Sequence, residues 1–347
     1  MKHSNYKMEK EVFISKEVVL LHPFTNQVGG HNCLLKYDES NICKIIDENE
    51  LSFYQNIPKE LIGFVPQFNG CPYRSSVIKT GYLEITFKKA GKNIICLSKN
   101  FDHLQDLNLN SVVSTLINTC SSCESEKSSN CECASNNRCE CVSNNRLLSL
   151  SQKVVASGRH QLMIIEDVTR KYKYPCVIDL KMGTRGCDKR EKRMKKVRDT
   201  STAPNLGVKL GGFQVNHPIT GRNLRMNKFE GHMLTEHEFK LVLKDFLYTG
   251  IRYRTDILPS LIKKLNKLLK SLEMIDGYRF YCCSLLLIYD GESDNQIYFS
   301  VDDCVELRMI DFAHTCYKHE FDGPDLGLLF GVKSLIKIFE EIQFQLH

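Results

Sequence analysis

The octad Cys-Glu-Cys-x-Ser-Asn-Asn-Arg occurs twice back to back, at 131–138 and 139–146, inside a stretch from Lys89 to Ser157 rich in Ser, Asn and Cys. Such a segment has too few branched aliphatics to offset its ordering entropy, so 89–158 reads as a disordered insertion looping out of the fold. The foldable chain is thereby divided into 1–88 and 159–347. Six cysteines of the insertion, Cys120, Cys123, Cys131, Cys133, Cys139 and Cys141, offer thiolates to zinc. Their Cys-x-Cys pairs fit a tetrahedral site poorly, however, and no histidine accompanies them. With the insertion aside, 347 residues suit about two domains or one two-lobed unit with a sizeable core.

Several classes of protein are excluded at once. Hydrophobic residues at 42% and charged residues at 25% are ordinary globular usage, so the whole chain is neither disordered nor collagenous. The densest apolar run, Cys282 to Tyr289, falls well short of the ~18 residues that span a bilayer, so no membrane is expected. Met1 to Phe13 is polar and resembles no secretory leader, which places the sixteen cysteines in the reducing cytosol or nucleus. Charge is more informative by position than by total. From Lys181 to Arg198, nine cations stand against Asp188 and Glu191, a local +7 in a chain of net +6, leaving −1 for everything else. One dense cationic stretch on a near-neutral body points to a local anionic partner and away from a nucleic-acid coat.

Along the first part, short apolar runs alternate with Gly and Pro as strands and turns do. Gly29-Gly30 lies in a strand-to-strand loop, a spacing that serves either a hairpin or close backbone approach to a phosphate. Lys44 sits in the apolar run Ile42 to Ile46, with Glu50, Phe53 and Tyr54 following at helical spacing. A strand lysine backed by a helix glutamate is how kinase-like lobes hold nucleotide phosphates; a solvated strand lysine is the plainer reading.

After the insertion, Gln161 to Ile165 and Pro175 to Leu180 read as strands, and Arg279 to Tyr289 and Val305 to Ile310 as a strand pair. Three amphipathic helices are expected. One opens on a Thr235-x-x-Glu238 capping box, one carries Leu261, Leu265, Leu268 and Leu272, and the last carries Leu335, Ile338, Phe339 and Ile342. The order of elements is α+β.

Chemistry gathers at three places. Period-2 alternation puts Asp179 and Lys181 on one face of a strand end, with Gly183 turning behind them; in isolation such a pair is a structural ion pair. Beyond it, a helix capped by Asp188 would align Lys189, Lys192, Arg193 and Lys196 on one face, a cationic wall that is costly unless it faces anions and is otherwise solvated. Third, Asp311 ends a strand, a position that suits Mg²⁺, with Ser284 at the head of the neighbouring strand as a hydroxyl source and His314 close behind.

The run Pro175-x-x-x-Asp179-x-Lys181-x-Gly183 resembles the signature of the inositol polyphosphate kinases, and its surroundings look most like the inositol hexakisphosphate kinase branch. Phe24 to His31 with Lys44 and Glu50, Tyr278 to Gly291, and Met309 to Thr315 with Phe330-Gly331 agree in order. The resemblance implies a two-lobed fold, a kinase-like N-lobe over a larger α+β C-lobe, with ATP and Mg²⁺ between them. It further implies that Lys44 with Glu50 holds the nucleotide phosphates and that the backbone at Glu166 and Val168 meets adenine. Asp179 would reach the ribose or the reacting centre, and Asp311 and Ser284 the metal. Pro175, Lys181, Gly183, Arg185, Lys189, Lys192, Arg193, Lys195, Lys196 and His314 would line the inositol phosphate site. Cys282 and Cys283 stand where that family usually has small hydroxyls. Three functions follow as expectations: a kinase making an inositol pyrophosphate from inositol hexakisphosphate; a multikinase or trisphosphate kinase phosphorylating a ring hydroxyl; or a silent polyphosphate-binding module. The lack of His-Arg-Asp and Asp-Phe-Gly elements argues against a protein substrate.

Overall fold

The structure is a computed structural model, and it describes residues 17–20, 22–29, 34–71, 73–79, 82–89, 92–96, 162–184, 201–216, 223–291 and 304–346. The octad repeat, His31 and the cations Arg185, Lys189, Lys192, Arg193, Lys195 and Lys196 lie outside the described residues.

The strands in chain order are β1 (Glu17–Leu20), β2 (His22–Pro23), β3 (Leu35–Lys36), β4 (Asn41–Ile45), β5 (Tyr73–Lys79), β6 (Tyr82–Lys89), β7 (Lys92–Cys96), β8 (Leu162–Glu166), β9 (Pro175–Met182), β10 (Val208–Asn216), β11 (Asn223–Met226), β12 (Tyr278–Phe280), β13 (Ser284–Asp290), β14 (Val305–Ile310) and β15 (Thr315–Tyr317). Helices are α1 (Glu48–Gln55), α2 (Ala203–Leu206), α3 (Lys228–His232), α4 (Glu236–Phe246), α5 (Leu258–Glu273) and α6 (Leu326–Leu346). Two sheets frame the molecule's cleft. The smaller, β2-β3-β4-β8, is antiparallel, and β8 joins it from beyond the insertion by pairing with β4. The larger, β11-β10-β9-β13-β14, is antiparallel throughout. A further sheet has the order β1-β7-β6-β5, so Lys92–Cys96, inside the stretch 89–158 expected to loop out, is a paired strand instead; β12 pairs with β15.

β9 runs through the middle of the larger sheet, and its near-continuous apolar sequence follows from burial on both faces; only Lys181 is partly open. One core joins both sheets: Ile42, Met163 and Ile165 of the smaller pack in the same cluster as Ile178, Leu180 and Leu285 of the larger. α1 ties them together, because Phe53 stacks on Phe312 at 4.0 Å between centroids while Tyr54 meets the same ring edge-on. α5 and α6 pack on each other, α5 also against β14 and α6 against β9 and β10.

The Thr235–Glu238 capping box is formed in full and opens α4. The expected strand over Arg279 to Tyr289 is instead two strands. Cys282 takes a left-handed backbone (φ 54°), and the chain leaves β12, paired to β15, to enter β13 between β9 and β14. The run from Phe280 to Tyr289 is apolar at every position but Ser284, with no Gly or Pro to mark the break, which is why the sequence hides it. The short helices α2 and α3 were not among the three expected; α3 has its own capping box, Asn227–Glu230.

Candidate active site

The cleft between the two sheets has a volume of about 550 Å³, a usual size for a small-molecule site. From the smaller sheet it receives Lys44. Its strand ends just before Asp47, whose carboxylate caps α1 by accepting from the backbone N–H groups of Asn49 and Glu50. The cap fixes the first turn of α1, and that turn puts Glu50 against Lys44 at 2.8–2.9 Å, both side chains buried. The backbone N–H of Phe312 also donates to Glu50, at 3.4 Å, so the pair is anchored to the end of β14. Burial on its own would lower the Lys44 pKa, but Glu50 and Asp311 outweigh it and hold the pKa above the ordinary lysine value.

The larger sheet supplies the facing wall by register. Lys181 of β9 lies directly across from Ser284 of β13, and Ser284 across from Ile310, which precedes Asp311. The Lys181 ammonium therefore donates to Ser284 Oγ at 2.6 Å and to Asp311 Oδ2 at 2.7 Å, with Asp179 Oδ2 at 3.7 Å. Asp311 Oδ1 faces Lys44 at 3.8 Å, so the charges alternate across the cleft from Glu50 through Lys44 and Asp311 to Lys181. Asp311 reaches this position with φ 66°, left-handed for a non-glycine residue, as is Cys282 in the turn that leads into β13. Strain of ~1–3 kcal/mol per such residue collects where geometry serves a site.

Asp179 is almost fully buried. Burial raises its pKa, Lys181 opposes that, and Asp311 adds to it; the carboxyl stands above the ordinary aspartate range. Its Oδ1 has no hydrogen-bond partner among the described residues. Two glycines permit its position. A Cβ on Gly29 of the first loop would fall 2.0 Å from Asp179 Oδ2, and one on Gly211 2.7 Å from Oδ1. Gly211 is the extra residue of a bulge in β10, where Leu210 pairs with Leu180 but Gly212 with Asp179.

Glu166 and Val168, at and just past the end of β8, line the cleft, as do Gly183 and His314. Pro175 does not: it begins β9 about 20 Å along the strand from Lys181 and opens onto a separate surface depression. The sequence reading missed Lys209, Lys228 and His232, which also line the cleft. Lys209 is placed by its pairing with Lys181 across β10 and β9. Lys228 and His232 sit four apart on α3, and the Asn227-x-x-Glu230 capping pattern was their available signal.

No group of three or more His, Cys, Asp or Glu among the described residues gathers into a metal centre. The donor set present fits a different kind of site. Two carboxylates, Asp179 with an orphaned buried oxygen and Asp311, plus the Ser284 hydroxyl match the sparse protein ligation of Mg²⁺, which takes its other ligands from phosphates and water. A buried lysine–glutamate pair facing carboxylates across a cleft between two sheets is the arrangement with which phosphotransferases of the kinase class hold nucleotide phosphates.

Residues 162–340 match the family model for inositol polyphosphate kinase. Inositol hexakisphosphate kinase 3 of Mus musculus is 30% identical over 94% of this chain and 96% of its own length, and that of Homo sapiens is 30% identical over the same shares. The chain belongs to the inositol polyphosphate kinase family. Among solved structures, inositol phosphate multikinase of S. cerevisiae in complex with ADP and Mn²⁺ is 21% identical, with a TM-score of 0.45 over 53% of this chain and 85% of that one, too low to bear on the site. No helix among the described residues is long and apolar enough to cross a membrane.

Proposed function

We propose that this kinase transfers the γ-phosphate of ATP to a phosphate of inositol hexakisphosphate, giving an inositol pyrophosphate. The observation that carries the reading is the alternating charge line Glu50–Lys44–Asp311–Lys181 across the cleft, with one cation on either side of a single carboxylate, as a nucleotide phosphate and an anionic acceptor would each require. The names borne by relatives of similar length support hexakisphosphate as acceptor, and so does the +7 stretch from Lys181 to Arg198, which begins at the end of β9.

In this reading Lys44 holds nucleotide phosphates and Glu50 fixes its position. The backbone at Glu166 and Val168 meets adenine, and Asp179 orients the nucleotide at the reacting centre. Asp311 and Ser284 would hold Mg²⁺, which would supply screening of the phosphate charge. Lys181, Gly183, His314 and the cations from Arg185 to Lys196 receive the acceptor, with Lys209, Lys228 and His232 as additional walls. Pro175 begins the strand and touches neither substrate. An acceptor phosphate has a second pKa of about 6 and arrives deprotonated, so the acceptor side needs cations more than a base.

A second reading, phosphorylation of a ring hydroxyl, is favoured by the Asp179 carboxylate, whose raised pKa suits a general base. Transfer of labelled γ-phosphate decides between them. Label on inositol hexakisphosphate, a ring with no hydroxyl, is the expected result. Labelling of less phosphorylated inositols alone establishes the hydroxyl kinase.

A further inference from the structure

The Lys181 ammonium donates to both groups assigned to the divalent cation, at 2.6 Å to Ser284 Oγ and 2.7 Å to Asp311 Oδ2, and lies 3.7 Å from Asp179 Oδ2. A cation held at about 2.0–2.1 Å from two of those oxygens leaves no room for the ammonium among them, and two positive charges at such separation repel strongly. Lys181 has somewhere to go. Its side chain is 23% exposed on the cleft side, whereas Lys44, the other lysine at Asp311, is 9% exposed and held by Glu50.

We propose that Lys181 is a placeholder for the divalent cation: its ammonium occupies the metal's seat, and cation binding releases it into the cleft, where it becomes an acceptor-phosphate ligand. This rests on the metal assignment of the preceding section and adds a coupling between the two substrates. Without metal, Lys181 neutralises Asp179 and Asp311 and is unavailable to the acceptor. With metal, the carboxylates are neutralised by the stronger charge and Lys181 is set free. Linkage makes the coupling reciprocal, so an acceptor that captures Lys181 also tightens cation binding. A full cationic grip on the acceptor then forms only once the nucleotide's metal is in place, which disfavours idle binding of a polyanion at a site without metal.

The test uses the full-length protein and Mn²⁺ or Mg²⁺ without nucleotide. Reductive methylation of the wild-type protein, read peptide by peptide by mass spectrometry, should modify Lys181 several-fold faster when Mg²⁺ is saturating, while the exposed Lys59 keeps its rate. Free Mn²⁺ followed by electron paramagnetic resonance should show Lys181→Met binding the ion roughly tenfold or more tightly than wild type, since the competing ammonium is gone. Lys209→Met, which removes a charge from the same cleft without emptying the seat, should gain much less. An unchanged Lys181 methylation rate at saturating Mg²⁺ overturns the proposal whatever the variants do. So do equal gains in Lys181→Met and Lys209→Met, or Mn²⁺ binding to none of the proteins. None of these failures touches the kinase reading, which stands or falls on labelled phosphate transfer.

Discussion

Asp311 is the residue on which the site's two halves meet, touching Lys181 at 2.7 Å and Lys44 at 3.8 Å. Asp311→Asn keeps the shape and removes the charge, so turnover should fall roughly 10²-fold or more in a protein that still folds. Near-normal turnover in folded Asp311→Asn would remove the metal assignment. Asp179 gives a prediction about pH. Its folded-state pKa is raised, chiefly by burial, so the folded state holds this proton more tightly than the unfolded state does. Stability from this group is therefore lost as pH rises from about 3.8 through the folded value. Asp179→Asn removes that loss: the variant should melt above wild type at pH 7, with the gap closing as pH falls towards about 4. A variant that melts below wild type at pH 7 would mean that the ion pair with Lys181 outweighs burial. At this scale the sequence was informative, since Asp179, Lys181 and Asp311 stand out as charges at the ends of apolar strands.

Elements deliver those residues, and here irregularity matters as much as regularity. The bulge at Gly211 keeps β10 clear of the Asp179 carboxylate while preserving pairing on either side. Gly211→Ala would drive a Cβ to 2.7 Å from Oδ1 and 2.9 Å from the carboxyl carbon, so Asp179 must move. We expect kcat to fall about ten- to a hundredfold through misplacement, with a stability loss of only ~1–3 kcal/mol. Steady-state kinetics beside a melting curve separates the two; a fall in stability with kcat intact would deny the bulge its positioning role. The Lys44–Glu50 pair was legible, because strand, cap and first helical turn are all local. The bulge was not: Gly-Gly in an apolar run is equally a hairpin, and only the partner strand shows which residue is extra.

For the whole molecule, charge is the governing quantity. The near-neutral remainder carries the fold, and the +7 stretch from Lys181 to Arg198 begins at the strand end where Lys181 enters the cleft. Changing Lys189, Lys192, Arg193 and Lys196 together to Gln should raise the KM for inositol hexakisphosphate and flatten its salt dependence, while the KM for ATP changes little. Loss of ATP binding with acceptor use intact would assign the stretch to the nucleotide.

Periodicity, capping and charge spacing are local properties, and by themselves they determined the α+β order, β9 with its paired charges, the helix stripes of α4 to α6 and the family resemblance. Only tertiary structure decided that Ser284 lies opposite Lys181, that β8 closes the sheet of β4 across the insertion, and that Lys209, Lys228 and His232 share the cleft. The reason is physical. A period says which face of a strand is buried but not which strand it will meet, and Lys181 and Asp311, 130 residues apart in the chain, are brought to 2.7 Å by the register of β9, β13 and β14 alone.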